Sequence, residues 1–248
     1  RAYLMMEAER DAQRILLALD DEAALPPSYL REFYSSRSQY YLQTGDYGAA
    51  AEQLELTLGE RGLSKDEKLR YTYILAQLYE ETEQNSLALE RYKGVTRLRP
   101  TYEMAFNARV SMAEVYESGK SDSEDLKKLL RKMLKDSKNV EYLDQIYFAL
   151  GNIAMEEGKR EEAIEYYQLS VSRSIRNQYQ KGYSSLTLAE IYYETPEYIL
   201  SAAYYDSAVS LLNRDYPGYE GLATLSASLD DLVYNFSTFQ MEDSVQML

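Results

Sequence analysis

Apolar residues recur along most of the chain at steps of three and four, the period of a helix face, and no segment alternates apolar and polar at the period of two that marks a strand. Tyr147, Leu150, Gly151 and Ala154 form one such stripe, and Ala163, Tyr167 and Ser170 form the next. The arrangement then repeats. Small residues stand at Ser38, Ala76, Ala113, Gly151 and Ala189, at spacings of 38, 37, 38 and 38. Three residues after each come Tyr41, Tyr79, Tyr116, Ala154 and Tyr192. A second set, Ala50, Ala88, Leu126, Ala163 and Ser201, runs at 38, 38, 37 and 38. Polar breaks (TGDY, ETEQN, EEGKR, ETPEY) separate the two sets in most units.

Each unit therefore reads as two helices that meet through their small residues. Neither can bury its stripe alone, so units must stack. The pattern predicts a leading helix near 3–19 and helix pairs at about 28–60, 66–98, 102–136, 139–174 and 178–213. A further helix follows at 219–236, and Met241–Leu248 reads as the start of its partner. The whole of 1–248 is expected to be one array. The third unit is the weakest, with Leu126 where a small residue is expected and 119–125 as its turn. Pro26, Pro27, Pro100 and Pro217 fall between elements, where proline is tolerated.

The small–aromatic–small–aromatic–proline order of Ala76, Tyr79, Ala88, Tyr92 and Pro100 resembles the tetratricopeptide repeat. Tyr147–Gly151 with Gly158, Ala163 and Tyr167 resembles it again. The period of 37–38 residues departs from that family's 34, and the frequent Trp is replaced by Tyr34, Thr72, Arg109, Tyr147 and Ser185. The resemblance implies an all-α fold, a right-handed α-α superhelix of about five helix pairs plus flanking helices.

Composition narrows the chemistry. The chain of 248 residues carries 27 Lys and Arg against 41 Asp and Glu, a net charge of −14, which argues against binding nucleic acid phosphates. Only 120–138 tilts basic, with seven Lys or Arg against four acids. With no His and no Cys, the commonest general base and the thiolate metal ligands are missing. Gly119, Lys120 and Ser121 lack the glycine five residues upstream that a phosphate loop needs, since position 114 is Glu. Adjacent acids such as Glu80–Glu81, Glu156–Glu157 and Asp230–Asp231 diverge by about 100° on a helix and do not converge on a substrate. Asn235–Ser237 fits a glycan sequon and reads as idle. The sequence predicts neither an enzyme nor a cofactor. No apolar run approaches the ~18 residues of a membrane span. The start at Arg1, not Met, is read as that of a segment cut from a longer chain.

The 26 Tyr suit surfaces that are half packed and half wet. Counting the first small residue of each unit as position 8, the stripe at 4, 7, 8 and 11 packs and leaves another at 2, 5, 9 and 12. Stacked units align this second stripe along an inner wall. It comprises Tyr73, Gln77 and Glu80; Asn107, Val110, Glu114 and Glu117; Gln145, Phe148, Asn152 and Met155; and Tyr183, Leu186, Glu190 and Tyr193. Amides can satisfy an extended backbone, aromatics can stack on side chains, and carboxylates select basic groups, so protein or peptide partners are expected.

Within 138–151, Asn139 is expected to cap a helix and Glu141 to favour its first turn. Leu143, Tyr147, Leu150 and Gly151 should pack, while Gln145 and Phe148 face the wall. Asp144 is expected to pair with Lys138 or Arg131.

Further strings, at 99–110, 133–148, 204–208 and 216–219, resemble the large tetratricopeptide lipoproteins of Bacteroidetes gliding motility and type IX secretion. That resemblance implies a scaffold on the periplasmic side of the outer membrane, contacting other secretion components and anchored outside this segment. The alternative is a cytoplasmic tetratricopeptide adaptor or sensor of a signalling protein. A regulatory arm of an enzyme is a third, weaker reading.

Overall fold

In the computed structural model of the chain, the described residues are 14–16, 18–19, 25–117 and 123–246, with side chains described as far as 238. Most of the expected leading helix near 3–19, and part of the turn at 119–125, lie outside them. Among the described residues there is no strand.

The chain forms two compact units, Arg1–Ser121 and Asp122–Leu248. The first holds α1 (Pro27–Thr44), α2 (Tyr47–Gly59), α3 (Lys65–Glu81), α4 (Asn85–Arg97) and α5 (Tyr102–Glu114). The second holds α6 (Ser123–Leu134), a short 3-10 turn (Ser137–Tyr142), α7 (Leu143–Glu156), α8 (Arg160–Arg173), α9 (Gln178–Glu194), α10 (Tyr198–Leu211) and α11 (Tyr219–Gln246). Within each unit, helices adjacent in sequence pack on one another. The boundary falls inside the expected pair 102–136, which is divided into α5 and α6. At the C-terminus, the expected break before Met241 does not occur: the backbone stays helical to Gln246. No proline or glycine interrupts Leu222–Gln246, so nothing in the local chemistry stops the helix.

Local signals explain the boundaries. Ser64 and Glu67 form a reciprocal capping box at the start of α3. Asp46, Thr101 and Asn177 each accept from the backbone N–H three residues on, at 3.0, 3.3 and 3.1 Å. Pro27 occupies the first turn of α1, where no N–H is needed. The polar breaks share one geometry. Asp46, Gln84, Lys159 and Glu197 donate their N–H groups to the carbonyls of Tyr41, Tyr79, Ala154 and Tyr192, at 2.9, 2.7, 2.9 and 3.0 Å. These are the residues three after the first small position, so each turn closes on the same carbonyl of its unit. Gly45 and Gly158 take positive φ there, as does Glu83 without a glycine's freedom.

Both small sets are buried, Leu126 included. A Cβ added at Gly151 would lie 2.5 Å from the ring of Tyr167, so α7 and α8 approach as closely as they do only because nothing larger than hydrogen stands there. Around these contacts Leu75, Ile146, Leu150, Ile153 and Leu188 are fully enclosed. Each stabilises its unit by about 1.5–3 kcal/mol relative to exposure.

The 138–151 segment departs from expectation. Asn139 lies buried in the 3-10 turn, and its amide donates to the Met133 carbonyl at 2.8 Å, so it closes the end of α6 and does not cap α7. The residue before α7 is Tyr142, with no side-chain cap. Asp144 is buried and accepts from the Gln145 N–H and the Ser174 hydroxyl at 2.9 and 3.0 Å; Lys138 and Arg131 are not the partners that hold it. Burial raises its carboxyl above the ordinary range, against those hydrogen bonds. Arg131 lies instead near Glu162, and Glu141 pairs with Arg176.

Candidate partner-binding wall

The four positions of the expected wall do not behave alike. Position 2 (Asn107, Gln145, Tyr183) and position 9 (Gln77, Glu114, Asn152, Glu190) are exposed or half-buried. At position 5, Phe148 and Leu186 are buried and Tyr73 and Val110 half-buried, so the stripe is split along its length. Phe148 is the clearest correction. Its ring packs against Tyr167 on α8 and Tyr183 on α9, with centroids 5.2 and 5.1 Å away. The first helices of these two successive pairs, α7 and α9, touch along this line, so Phe148 lies in a seam instead of facing solvent. Leu186 joins the core cluster with Ala189, Tyr205 and Leu229.

In the first unit, Tyr73 and Glu80 on α3 come together with Glu114 on α5. The Tyr73 ring meets Tyr92 edge-on at 5.9 Å, and the Tyr92 hydroxyl donates to Glu80. Burial raises the Glu80 carboxyl above its ordinary range, and this bond offsets the rise only in part. Glu114 is exposed at its surface yet crowded by the protein around it. That crowding, and then Glu80, raises its carboxyl as well. Its accessible surface decides the functional point: a partner can reach it. Gln77 and Asn107 stand exposed beside these acids. Glu117 accepts from the Asn85 amide at 3.4 Å, which assigns it to the helix-turn edge.

In the second unit, Asn152 accepts from the Tyr167 hydroxyl at 2.9 Å. Tyr183 is exposed on one side and stacks on Tyr179, with rings 6.3 Å apart and nearly parallel. The Glu190 carboxyl is exposed at its surface and raised by burial at its base, then by Glu194. It also faces Tyr205 and Tyr216, whose hydroxyls are raised by burial first and by Glu190 among their neighbours. Gln145 and Met155 are half-buried. Tyr193 meets Tyr198 edge-on at 6.0 Å and so belongs to the turn edge, like Glu117.

Sequence reasoning missed Tyr92, Tyr167 and Tyr205 as wall components. Each lies four residues after the second small position, with its ring buried. Tyr92 and Tyr167 bond a wall residue through their hydroxyls, and Tyr205 lies beside Glu190. The signal was present: units with Leu at this place (Leu54, Leu130) bury only hydrocarbon, whereas a Tyr carries a polar tip that must find a partner. Among the described residues, no three acids gather as metal ligands, and no helix is long and apolar enough to cross a membrane.

The tetratricopeptide repeat family matches residues 144–174, the α7–α8 pair. No curated protein matches the chain. Among solved structures, the apo form of the quorum sensor NprR from B. thuringiensis superposes with a TM-score of 0.59 at 16% identity, over 92% of this chain and 66% of that one. The chain thus spans just under two thirds of that protein's length. The TPR domain of P58(IPK) follows at a TM-score of 0.34 and 16% identity, over 92% of this chain and 67% of that one. BtubC from P. vanneervenii gives 0.37 at 15% identity, over 91% of both chains. The fold is that of tetratricopeptide-like helix-pair arrays.

Proposed function

We propose that this chain is a non-catalytic docking scaffold of the type IX secretion and gliding-motility machinery, held at the periplasmic side of the outer membrane. Its wall receives protein or peptide segments of other secretion components. The observation that carries the docking reading is the split stripe. Position 5 is withdrawn into the seam, while Gln77, Asn107, Glu114, Tyr183 and Glu190 stay open. These are amides, acids and an aromatic, groups that hydrogen-bond a backbone, hold basic side chains and stack. The assignment to secretion rests on the strings at 99–110, 133–148, 204–208 and 216–219 and on their order within the array. The net charge of −14 disfavours nucleic acid as a partner.

Crosslinking and affinity capture of the full-length protein from fractionated cells tests this reading. Recovery with the outer membrane, together with other secretion components, is the expected result. Recovery in the cytosol, joined to a DNA-binding or kinase module, would replace it with the signalling-adaptor reading.

A further inference from the structure

Three junctions between successive helix pairs share a polar link at the helix-turn edge. The residue opening the second helix of one pair reaches a glutamate at the end of the next pair's first helix. Asn85 donates to Glu117 at 3.4 Å. Ser123 donates to Glu157, which also accepts from Lys127 at 2.8 Å. Arg160 donates to Glu194 at 2.6 Å. The opening residues are spaced 38 and 37 apart, and another 38 leads to Tyr198 at the start of α10. The residue 38 beyond Glu194 is Leu232 on α11. At this fourth junction Tyr198 and Leu232 instead line one cavity.

The cavity has a volume of about 330 Å³ and is lined by Pro196, Glu197, Tyr198, Ile199, Leu232 and Phe236 among others. It is not a sealed packing defect. Ile199, Phe236 and Leu232 remain 63%, 56% and 48% exposed, a grouping of large apolar side chains that a soluble surface ordinarily avoids unless something docks there. Its size suits one aromatic or two aliphatic side chains, the anchor of an interface and not a whole small-molecule ligand.

Charge selects the occupant. Glu197 lines the cavity, and exposed Asp230 and Asp231 directly precede Leu232 on α11. A second copy of this chain would bring the same acids, and a net −14, against themselves. We infer that the α10–α11 edge is a second docking site, distinct from the wall, which takes a segment of another protein carrying a bulky apolar anchor flanked by Lys or Arg.

The test is selection of a random-peptide phage library on the purified chain, followed by fluorescence anisotropy of the enriched peptides on Ile199→Ser, Leu232→Ser and Glu197→Lys variants. All three positions are exposed or half-open, and matching circular dichroism melts establish that the variants fold. Enriched peptides should carry an aromatic or large aliphatic residue beside Lys or Arg. Their binding should weaken at least tenfold in each Ser variant and severalfold in Glu197→Lys. Four results would overturn the inference: no enrichment; peptides without a basic bias; affinities unchanged in the variants; or sedimentation equilibrium showing a dimer that Leu232→Ser abolishes, which would make a second copy the occupant. Gln77→Ala/Asn107→Ala, measured with the same peptides, separates the two sites: peptides weakened by that wall variant and unchanged by the three edge variants would overturn this inference while leaving the docking-scaffold reading standing.

Discussion

Ser38 and Ala50 occupy the two small positions of the first helix pair, and the Ser38 hydroxyl donates to the Ala50 carbonyl across the contact at 2.9 Å. In the last pair the relation is reversed. Ser201 stands on the second helix and donates to the Ala189 carbonyl on the first, also at 2.9 Å. Wherever serine replaces alanine or glycine at this contact, it bonds the backbone of its opposite small residue. The hydroxyl is fully enclosed and so needs an acceptor, and the close helix approach supplies one.

Ser38→Ala and Ser201→Ala should therefore each lower stability by about 0.5–1.5 kcal/mol, the net worth of one hydrogen bond, since the carbonyls keep their helical partners. Ser201→Leu should cost more, on the order of 1–3 kcal/mol, through overpacking. Urea denaturation of the three variants checks the order.

Gly151 offers a sharper test of the same contact. Gly151→Ala gains up to about 1 kcal/mol of helix propensity, but its Cβ would meet the Tyr167 ring at 2.5 Å. That ring is held by Phe148 and by its bond to Asn152, so it cannot swing away freely. Net destabilisation on the order of 1–3 kcal/mol is expected, with partial recovery in Gly151→Ala/Tyr167→Leu. Melting temperatures of the single and double variants measure it.

How far the sequence could reach is visible in these residues. The small sets and polar breaks were legible because a helix contact with no room and a turn with one closing carbonyl allow few residue types. The seam at position 5 was not. A 3.6-residue period tells that Phe148 and Gln145 share a face, but not that a neighbouring unit's Tyr183 closes over one of them. Asn139 looked like a cap because capping residues precede helices; its amide instead turned back to a carbonyl six residues earlier, a choice made by the tertiary path of the 3-10 turn. At the wall, Gln77, Asn107, Glu114 and Glu190 lie exposed, whereas the supporting tyrosines from the second helices required knowing which helix lies behind.

The Asn139 correction gives its own prediction. Asn139→Ala removes a buried donor and leaves the Met133 carbonyl short of a partner, which should cost about 1–3 kcal/mol. Gln145→Ala, on the open side, should leave the urea midpoint nearly unchanged.

Acid titration should reveal two opposite contributions. Burial alone would raise the Glu157 carboxyl, but hydrogen bonds from Lys127, Lys159 and Ser123 outweigh it and hold the group at about 2. Its stabilising contribution is complete above the ordinary value of 4.5 and is lost as pH falls toward 2. Lys127→Met should lower stability at neutral pH by about 2–3 kcal/mol and flatten this part of the profile. Glu80 and Glu114 are raised instead, so ionising them costs more in the folded chain than in the unfolded one. Their contribution falls as pH rises from 4.5 through the folded values. Glu114→Gln should accordingly stabilise the protein near neutrality and have little effect at pH 4. Chemical denaturation across pH 3–8 separates the two.

The central claim is that the open stripe binds while position 5 holds the fold. Its most direct test is partner affinity, by biolayer interferometry with the captured secretion component, measured beside melting temperature for two variants. Gln77→Ala/Asn107→Ala, both exposed on the wall, should bind at least tenfold more weakly and melt close to the unchanged chain. Phe148→Ser should lose on the order of 3–5 kcal/mol of stability. If the double variant binds as the unchanged chain does, or if it unfolds while Phe148→Ser stays stable, the division between wall and seam is contradicted.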